Sequence, residues 1–120
     1  MTQNTMQQII ITEPGGPEKL AYETVAIPEP QANEVLVKVH AFGLNRPDIL
    51  QRQGLYPMPK GVTPVPGLEV AGEVVAVGAD VSQFKVGDAV CGLTNGGGYA
   101  EYCVVPESQT LTIPSGVSFV

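Results

Sequence analysis

Between Gly43 and Pro57 the chain reads GLNRPDILQRQGLYP. This stretch gathers Asn45, Arg46, Asp48, Gln51, Arg52 and Tyr56 in a sequence that elsewhere runs to Val, Gly, Pro and Ala. Each residue type brings its own chemistry. An Asn amide donates and accepts hydrogen bonds. An Arg guanidinium is a planar, permanently charged fork that suits phosphates and carboxylates. A phenol can bond an oxygen that gains negative charge during a reaction. The charge is also uneven. The whole chain carries −6, yet Arg46, Arg52 and Lys60 against Asp48 give a local +2, leaving −8 on the remainder. Two readings of that cationic spot stand side by side: a solvated helix face, or a small anion site in an acidic protein. Composition does not choose between them.

Other chemistries find less support. There is one histidine, His40, and two cysteines, Cys91 and Cys103, with no spacing that suits a zinc site. His40 stands near a strand end and reads as a surface or structural residue. The cysteines fall in strand-like runs and read as buried, inert thiols. NGGGYAEY holds three glycines but no phosphate-loop Lys-Ser/Thr, so it reads as a tight turn or hinge. No GxGxxG dinucleotide fingerprint occurs. The negative balance argues against nucleic acid and anionic membranes as partners. The longest apolar runs fall short of a membrane span. The start MTQNTMQQIII does not read as a secretory leader. Two cysteines are too few for a disulfide scaffold, which points to a cytoplasmic protein with reduced thiols.

The elements that must position the opening segment are mostly strands. With 120 residues the chain suits one domain. Its 14 Gly and 11 Pro punctuate short runs rich in Val, Ile, Thr and Tyr. QQIII, KLAYETVAI, EVLVKVHAF, EVAGEVVAVG, DAVCGL, YAEYCVVP and QTLTIP all read as strands. EVLVKVHAF alternates strictly, with Val35, Val37, Val39 and Ala41 on one face and Leu36, Lys38, His40 and Phe42 on the other. Gly72, inside the fourth run, marks a bulge or a close backbone approach. One helix interrupts the series. Asn45 caps it, Pro47 fits its first turn, Asp48 suits its positive end and Gly54 stops it. The expected fold is mainly β: a partly open, bent antiparallel β-barrel with a short helical insert.

Three segments in order, LNRPDILQRQGLYP, PGLEVAGEVVAVGADVSQFKVGDAVCGL and GGGYAEYCVVPESQTLTIPSGVSF, carry a family resemblance. They resemble the N-terminal GroES-like domain of the medium-chain dehydrogenase/reductase superfamily, in particular its zinc-free quinone oxidoreductase branch. The turn EPGGPEKL fits that branch too. In the zinc alcohol dehydrogenases of the superfamily the helix opens with Cys-Arg-Ser/Thr-Asp, whose cysteine binds catalytic zinc. Here the place reads Asn45-Arg46-Pro47-Asp48. Their next motif, Gly-His-Glu, supplies a second ligand; here it reads Gly67-Leu68-Glu69. The four-cysteine structural lobe is missing as well. With two of three protein ligands replaced, no zinc is expected.

The resemblance also implies roles. Asn45 would lie beside the nicotinamide and donate its amide, besides capping the helix. Arg46 would reach the cofactor pyrophosphate, unless it is simply solvated. Tyr56 would stand in the active cleft and bond the substrate oxygen, unless it only packs. Asp48 and Glu69 are assigned structural parts, Glu69 satisfying backbone or Arg46. Residues 1–120 would form the substrate-side domain, IPSGVSF would lead towards a Rossmann cofactor domain that this chain lacks, and the chain alone would be inactive. The implied full-length enzyme is an NADPH-dependent, zinc-independent oxidoreductase, homodimeric, that transfers hydride to a quinone or conjugated carbonyl. A 2-enoyl thioester reductase is the enzymatic alternative. A GroES-like binding or assembly module, such as a ring-forming co-chaperonin, is the non-enzymatic one. The short, Pro-rich link between the early strands weighs against a co-chaperonin's mobile apolar loop.

Overall fold

A computed structural model describes residues 4–56 and 61–120. Among these residues seven strands and one α-helix follow in order: β1 (Thr5–Ile11), β2 (Leu20–Ala26), β3 (Glu34–Phe42), α1 (Arg46–Arg52), β4 (Glu69–Val77), β5 (Ala89–Leu93), β6 (Tyr102–Pro106) and β7 (Thr110–Thr112). β1 and β2 form an antiparallel hairpin, and the other five make an antiparallel sheet in the order β6-β3-β4-β5-β7. This is the expected mainly β, bent and partly open barrel with a helical insert.

Valine builds the core. Val35, Val37, Val70, Val74, Val90 and Val105 are buried in one cluster with Phe84 and Cys103. β-branched side chains pack well on a pleated surface. Each fully buried valine contributes on the order of 1.5–3 kcal/mol against leaving it exposed. The alternation of β3 holds, with Val35 and Val37 buried and Lys38, His40 and Phe42 exposed. Leu36 departs from it, because it is buried as well.

Two irregularities curve the sheet. The β3–β4 register shifts between Leu36 and Val37 and again between Val39 and Ala41. Val75 and His40 are thus extra residues, and such bulges bend a strand and raise its twist. Gly72 lies opposite Val39 at the second shift. A Cβ there would stand 2.0 Å from the Lys38 carbonyl oxygen. The glycine therefore serves both expected purposes, a bulge partner and a close backbone approach.

The helix starts and stops as expected. Asn45 and Asp48 form a capping box, and the Asn45 N–H donates to Asp48 Oδ2 at 3.0 Å. Gly54 has φ +80°, and its N–H donates to the Gln51 carbonyl at 3.0 Å. The Leu55 N–H donates to the Leu50 carbonyl at 2.8 Å, which completes a Schellman stop. Arg52 then ties the helix to the hairpin turn. Its Nε donates to the Gly15 carbonyl at 3.1 Å, and the Gly15 N–H donates to the Arg52 carbonyl at 2.9 Å.

One expected strand begins late. YAEYCVVP was expected to pair from Tyr99, yet β6 starts at Tyr102. The residues between serve two sheets at once. Ala100 bridges Gln8, the Glu101 N–H donates to the Gln7 carbonyl at 3.1 Å, and the Val39 N–H donates to the Glu101 carbonyl at 2.8 Å. A chain that crosses from β1 to β3 cannot hold one ladder. His40 is exposed and stacks on Phe119 with ring centroids 4.3 Å apart, a surface role as expected. Both cysteines are free thiols; Cys103 is buried, but Cys91 is only half-buried.

Gly72→Ala tests the close approach. The added methyl must displace the β3 backbone, and overpacking of this kind costs roughly 1–3 kcal/mol. A urea unfolding midpoint should fall accordingly. An unchanged midpoint would show that the strands separate freely at this point.

Candidate functional site

The opening segment meets two other loops around one buried carboxylate. Asp48 is 4% exposed. Its Oδ2 accepts the Asn45 N–H at 3.0 Å and the Tyr99 hydroxyl at 2.8 Å. Its Oδ1 is buried and has no partner among the described residues. The expectation gave Asp48 only an influence on the helix dipole. The structure gives it more, because it joins α1 to the turn that precedes β6.

That turn is NGGGYAEY, and it is tight. Gly96 and Gly97 have φ of +108° and +90°. Backbone bonds run from Gly97 to Val65 (2.8 Å), Gly98 to Gly67 (3.1 Å) and Tyr99 to Pro66 (3.0 Å). A Cβ on Gly67 would stand 2.7 Å from Gly98 Cα, so neither loop has room for a side chain at the contact. The Tyr99 carbonyl also accepts the Ile9 N–H at 2.8 Å. Its ring tilts against Phe42 with centroids 4.6 Å apart. Tyr99 is thus held through its backbone on both sides, its ring and its hydroxyl. Burial, followed by the bond to Asp48, pushes its hydroxyl well above the usual phenol range. It remains a donor at any physiological pH.

Asn45 sits at the junction. Its Nδ2 donates to Glu69 Oε1 at 3.3 Å. Glu69, at the start of β4, therefore meets Asn45 and not Arg46, contrary to expectation. Its carboxylate lies over Gly43, where a Cβ would come within 1.8 Å of Oε1. Arg46 is exposed and makes no ion pair among the described residues. Tyr56 is half-buried in the loop after α1. No described hydrogen bond joins Tyr56 to Asn45. The cationic spot also divides: Arg52 is committed to Gly15, Arg46 is uncommitted, and Lys60 lies outside the described residues.

Two grooves flank this junction. The larger, about 680 Å³, is lined by Phe42, Gly43, Glu69, Cys91, Leu111 and Phe119 among others. The smaller, about 470 Å³, includes Tyr22, His40, Phe42, Tyr99 and Glu101. Asn45, Arg46 and Tyr56 line neither. Among the described residues no three His, Cys, Asp or Glu side chains are grouped so as to hold a metal. No helix among them is long and apolar enough to cross a membrane. Sequence reasoning missed Tyr99. An aromatic directly after three glycines was the available signal, since so unrestrained a run needs an anchor.

Comparison with known proteins decides the family. Residues 31–115 match the alcohol dehydrogenase GroES-like domain. The chain belongs to this family. It is 43% identical over 119 residues to the quinone oxidoreductase of Sus scrofa, covering 98% of this chain and 36% of that protein. The quinone oxidoreductase of Escherichia coli, whose structure was solved with NADPH, superposes with a TM-score of 0.87 at 33% identity, over 94% of this chain and 35% of that one. The CurK enoyl reductase gives 0.84 at 32% identity, over 98% and 37%. This GroES-like domain thus has relatives in the medium-chain dehydrogenase/reductase superfamily, as the motifs implied. The chain spans about a third of the length of those relatives.

Burial makes the fold alkali-sensitive. Desolvation pushes the Cys103 thiol from 9.0 up to about 11, and the Tyr99 hydroxyl moves the same way. Groups whose folded pKa is raised stabilise the fold fully below the unfolded value and lose that contribution as pH rises through the folded one. Stability should therefore hold to about pH 9 and fall as pH climbs towards 11. Urea melts across that window check this, and Cys103→Ala should flatten the fall. A stability that rises over this range would contradict it.

Proposed function

We propose that this domain forms the substrate side of a zinc-independent, NADPH-dependent oxidoreductase that reduces quinones or conjugated carbonyls. The observation that carries the reading is the Asn45–Arg46 pair. An amide is carried on a main chain fixed at a rigid junction, and next to it stands an exposed guanidinium with no counter-ion among the described residues. That donor set suits a dinucleotide: the guanidinium for the pyrophosphate, the amide for the nicotinamide end. The quinone oxidoreductase relatives support the same reading. NADPH would supply the hydride. Leu68 stands where zinc relatives carry a ligating histidine, and a leucine cannot ligate.

The rest is done by side chains of this chain. Asn45, Arg46 and Tyr56 are the proposed site. Arg46 binds and orients the cofactor. Asn45 holds the reacting end in place through its amide. The Tyr56 phenol bonds the substrate oxygen and stabilises the charge that develops there. A cofactor-binding domain elsewhere in the polypeptide completes the enzyme, in keeping with the third of its relatives' length that this chain spans. Taken alone, the chain should be inactive. The enzyme is proposed to be a cytoplasmic homodimer with both thiols reduced. The likeness to CurK favours a second substrate class, 2-enoyl thioesters, for the same residues.

Two substitutions in the full-length enzyme separate the roles. Tyr56→Phe keeps the ring and removes one hydrogen bond, so kcat should fall about 5–150-fold, the equivalent of roughly 1–3 kcal/mol. Arg46→Ala should raise the cofactor KM more than it lowers kcat, because a pyrophosphate contact is made in ground and transition states alike. Steady-state kinetics with quinones and enones read both. If Tyr56→Phe leaves kcat unchanged while hydride transfer limits the rate, Tyr56 is only a wall of the cleft.

A further inference from the structure

The bonds around Asp48 form a chain that ends on Asn45. The Tyr99 hydroxyl donates to Asp48 Oδ2, the same oxygen accepts the Asn45 N–H, and the Asn45 side-chain amide reaches Glu69. Tyr99 lies 51 residues from Asp48 in sequence, so nothing local creates this contact. Both donors converge on one carboxylate oxygen while the other has no described partner. That oxygen is therefore the point through which a change at Tyr99 reaches Asn45.

We infer that Tyr99 is a positioning residue for Asn45, acting through the Asp48 carboxylate. Its hydroxyl fixes where Oδ2 lies; Oδ2 fixes the Asn45 backbone; the backbone then sets the reach of the Asn45 amide. Tyr99 can do this because it is itself immobile. Its N–H and carbonyl are bonded to Pro66 and Ile9, and its ring rests on Phe42. Without the hydroxyl, a buried carboxylate keeps a single donor and is free to rotate. Small displacements of a group that aligns reactants are costly in rate. The inference rests on the proposed role of Asn45, so its test must separate the two.

A double-mutant cycle in the full-length enzyme does so. Tyr99→Phe retains the ring and its contact with Phe42. It should lower kcat about three- to tenfold with a smaller change in substrate KM, and it should enlarge the primary isotope effect measured with deuterated reduced cofactor. In an Asn45→Ala background the same substitution should have almost no effect on kcat, because the group it positions is gone. A merely structural role would lower the melting temperature and reduce kcat equally in both backgrounds, which overturns the inference. An Asn45→Ala enzyme with unchanged kcat would instead overturn the role of Asn45, and this inference with it. If Tyr99→Phe does not fold, fluorotyrosine at position 99 serves, since it alters the donor and keeps the shape. Its effect on kcat should likewise vanish with Asn45→Ala, and an effect that persists there would refute the positioning role.

Discussion

One hydrogen bond holds the candidate site of this domain together, that from the Tyr99 hydroxyl to Asp48 Oδ2. A carboxylate that is 4% exposed is costly to bury unless donors meet it. Two do, one from the helix cap and one from the glycine turn. Hydrogen bonds to a charged group contribute roughly 1.5–3 kcal/mol, against about 0–1 for an exposed ion pair. The surface ion pair of Lys19 with Glu13 is minor beside this contact. The same bond, with the two between Arg52 and Gly15, anchors a helix of only seven residues where it lies. So short a helix is marginal by itself and relies on tertiary anchoring.

The glycines make the bond reachable. Gly67 and Gly98 let two backbones approach closer than any side chain would allow. That approach carries Tyr99 into the space beneath α1. The segment that follows bridges β1 and β3, which fixes the small hairpin against the larger sheet. Three loops distant in sequence thus share one rigid corner, and the corner is where Asn45 and Glu69 meet. Precision at such a corner is easier to maintain than precision on a free loop.

Much of the frame was legible in the sequence, and much of the corner was not. The alternation in Val35, Val37 and Val39 marked β3, because a half-buried strand writes its burial with a period of two. Asn45 and Gly54 marked the ends of α1, because capping is local. Gly72 betrayed a close approach by being a glycine inside a valine strand. The Tyr99–Asp48 pair left no such trace, since it joins residues 51 apart through a contact with no periodicity. Tyr99 was even absorbed into an expected strand, because YAEYCVVP is rich in Tyr and Val, as strands are. The partner of Glu69 was misassigned for a related reason. Backbone or Arg46 was expected, whereas geometry delivered the neutral side-chain amide of Asn45.

That neutral partner bears on how the site can work. An Asn side chain has two N–H donors and one carbonyl acceptor. Glu69 occupies one donor, at 3.3 Å and from an exposed position where water competes. Such a bond contributes little, on the order of 1 kcal/mol. It is strong enough to bias the amide towards one orientation and weak enough to be shared or exchanged when a ligand arrives. The backbone of Asn45 is treated differently, since it is bonded to a buried carboxylate that water does not reach. The residue thus combines a fixed main chain, and a side-chain oxygen engaged in the capping box, with an N–H end that can exchange partners. On the role proposed for Asn45, aligning a cofactor and still releasing it needs both properties, and the two carboxylates of this corner, one buried and one exposed, supply them separately.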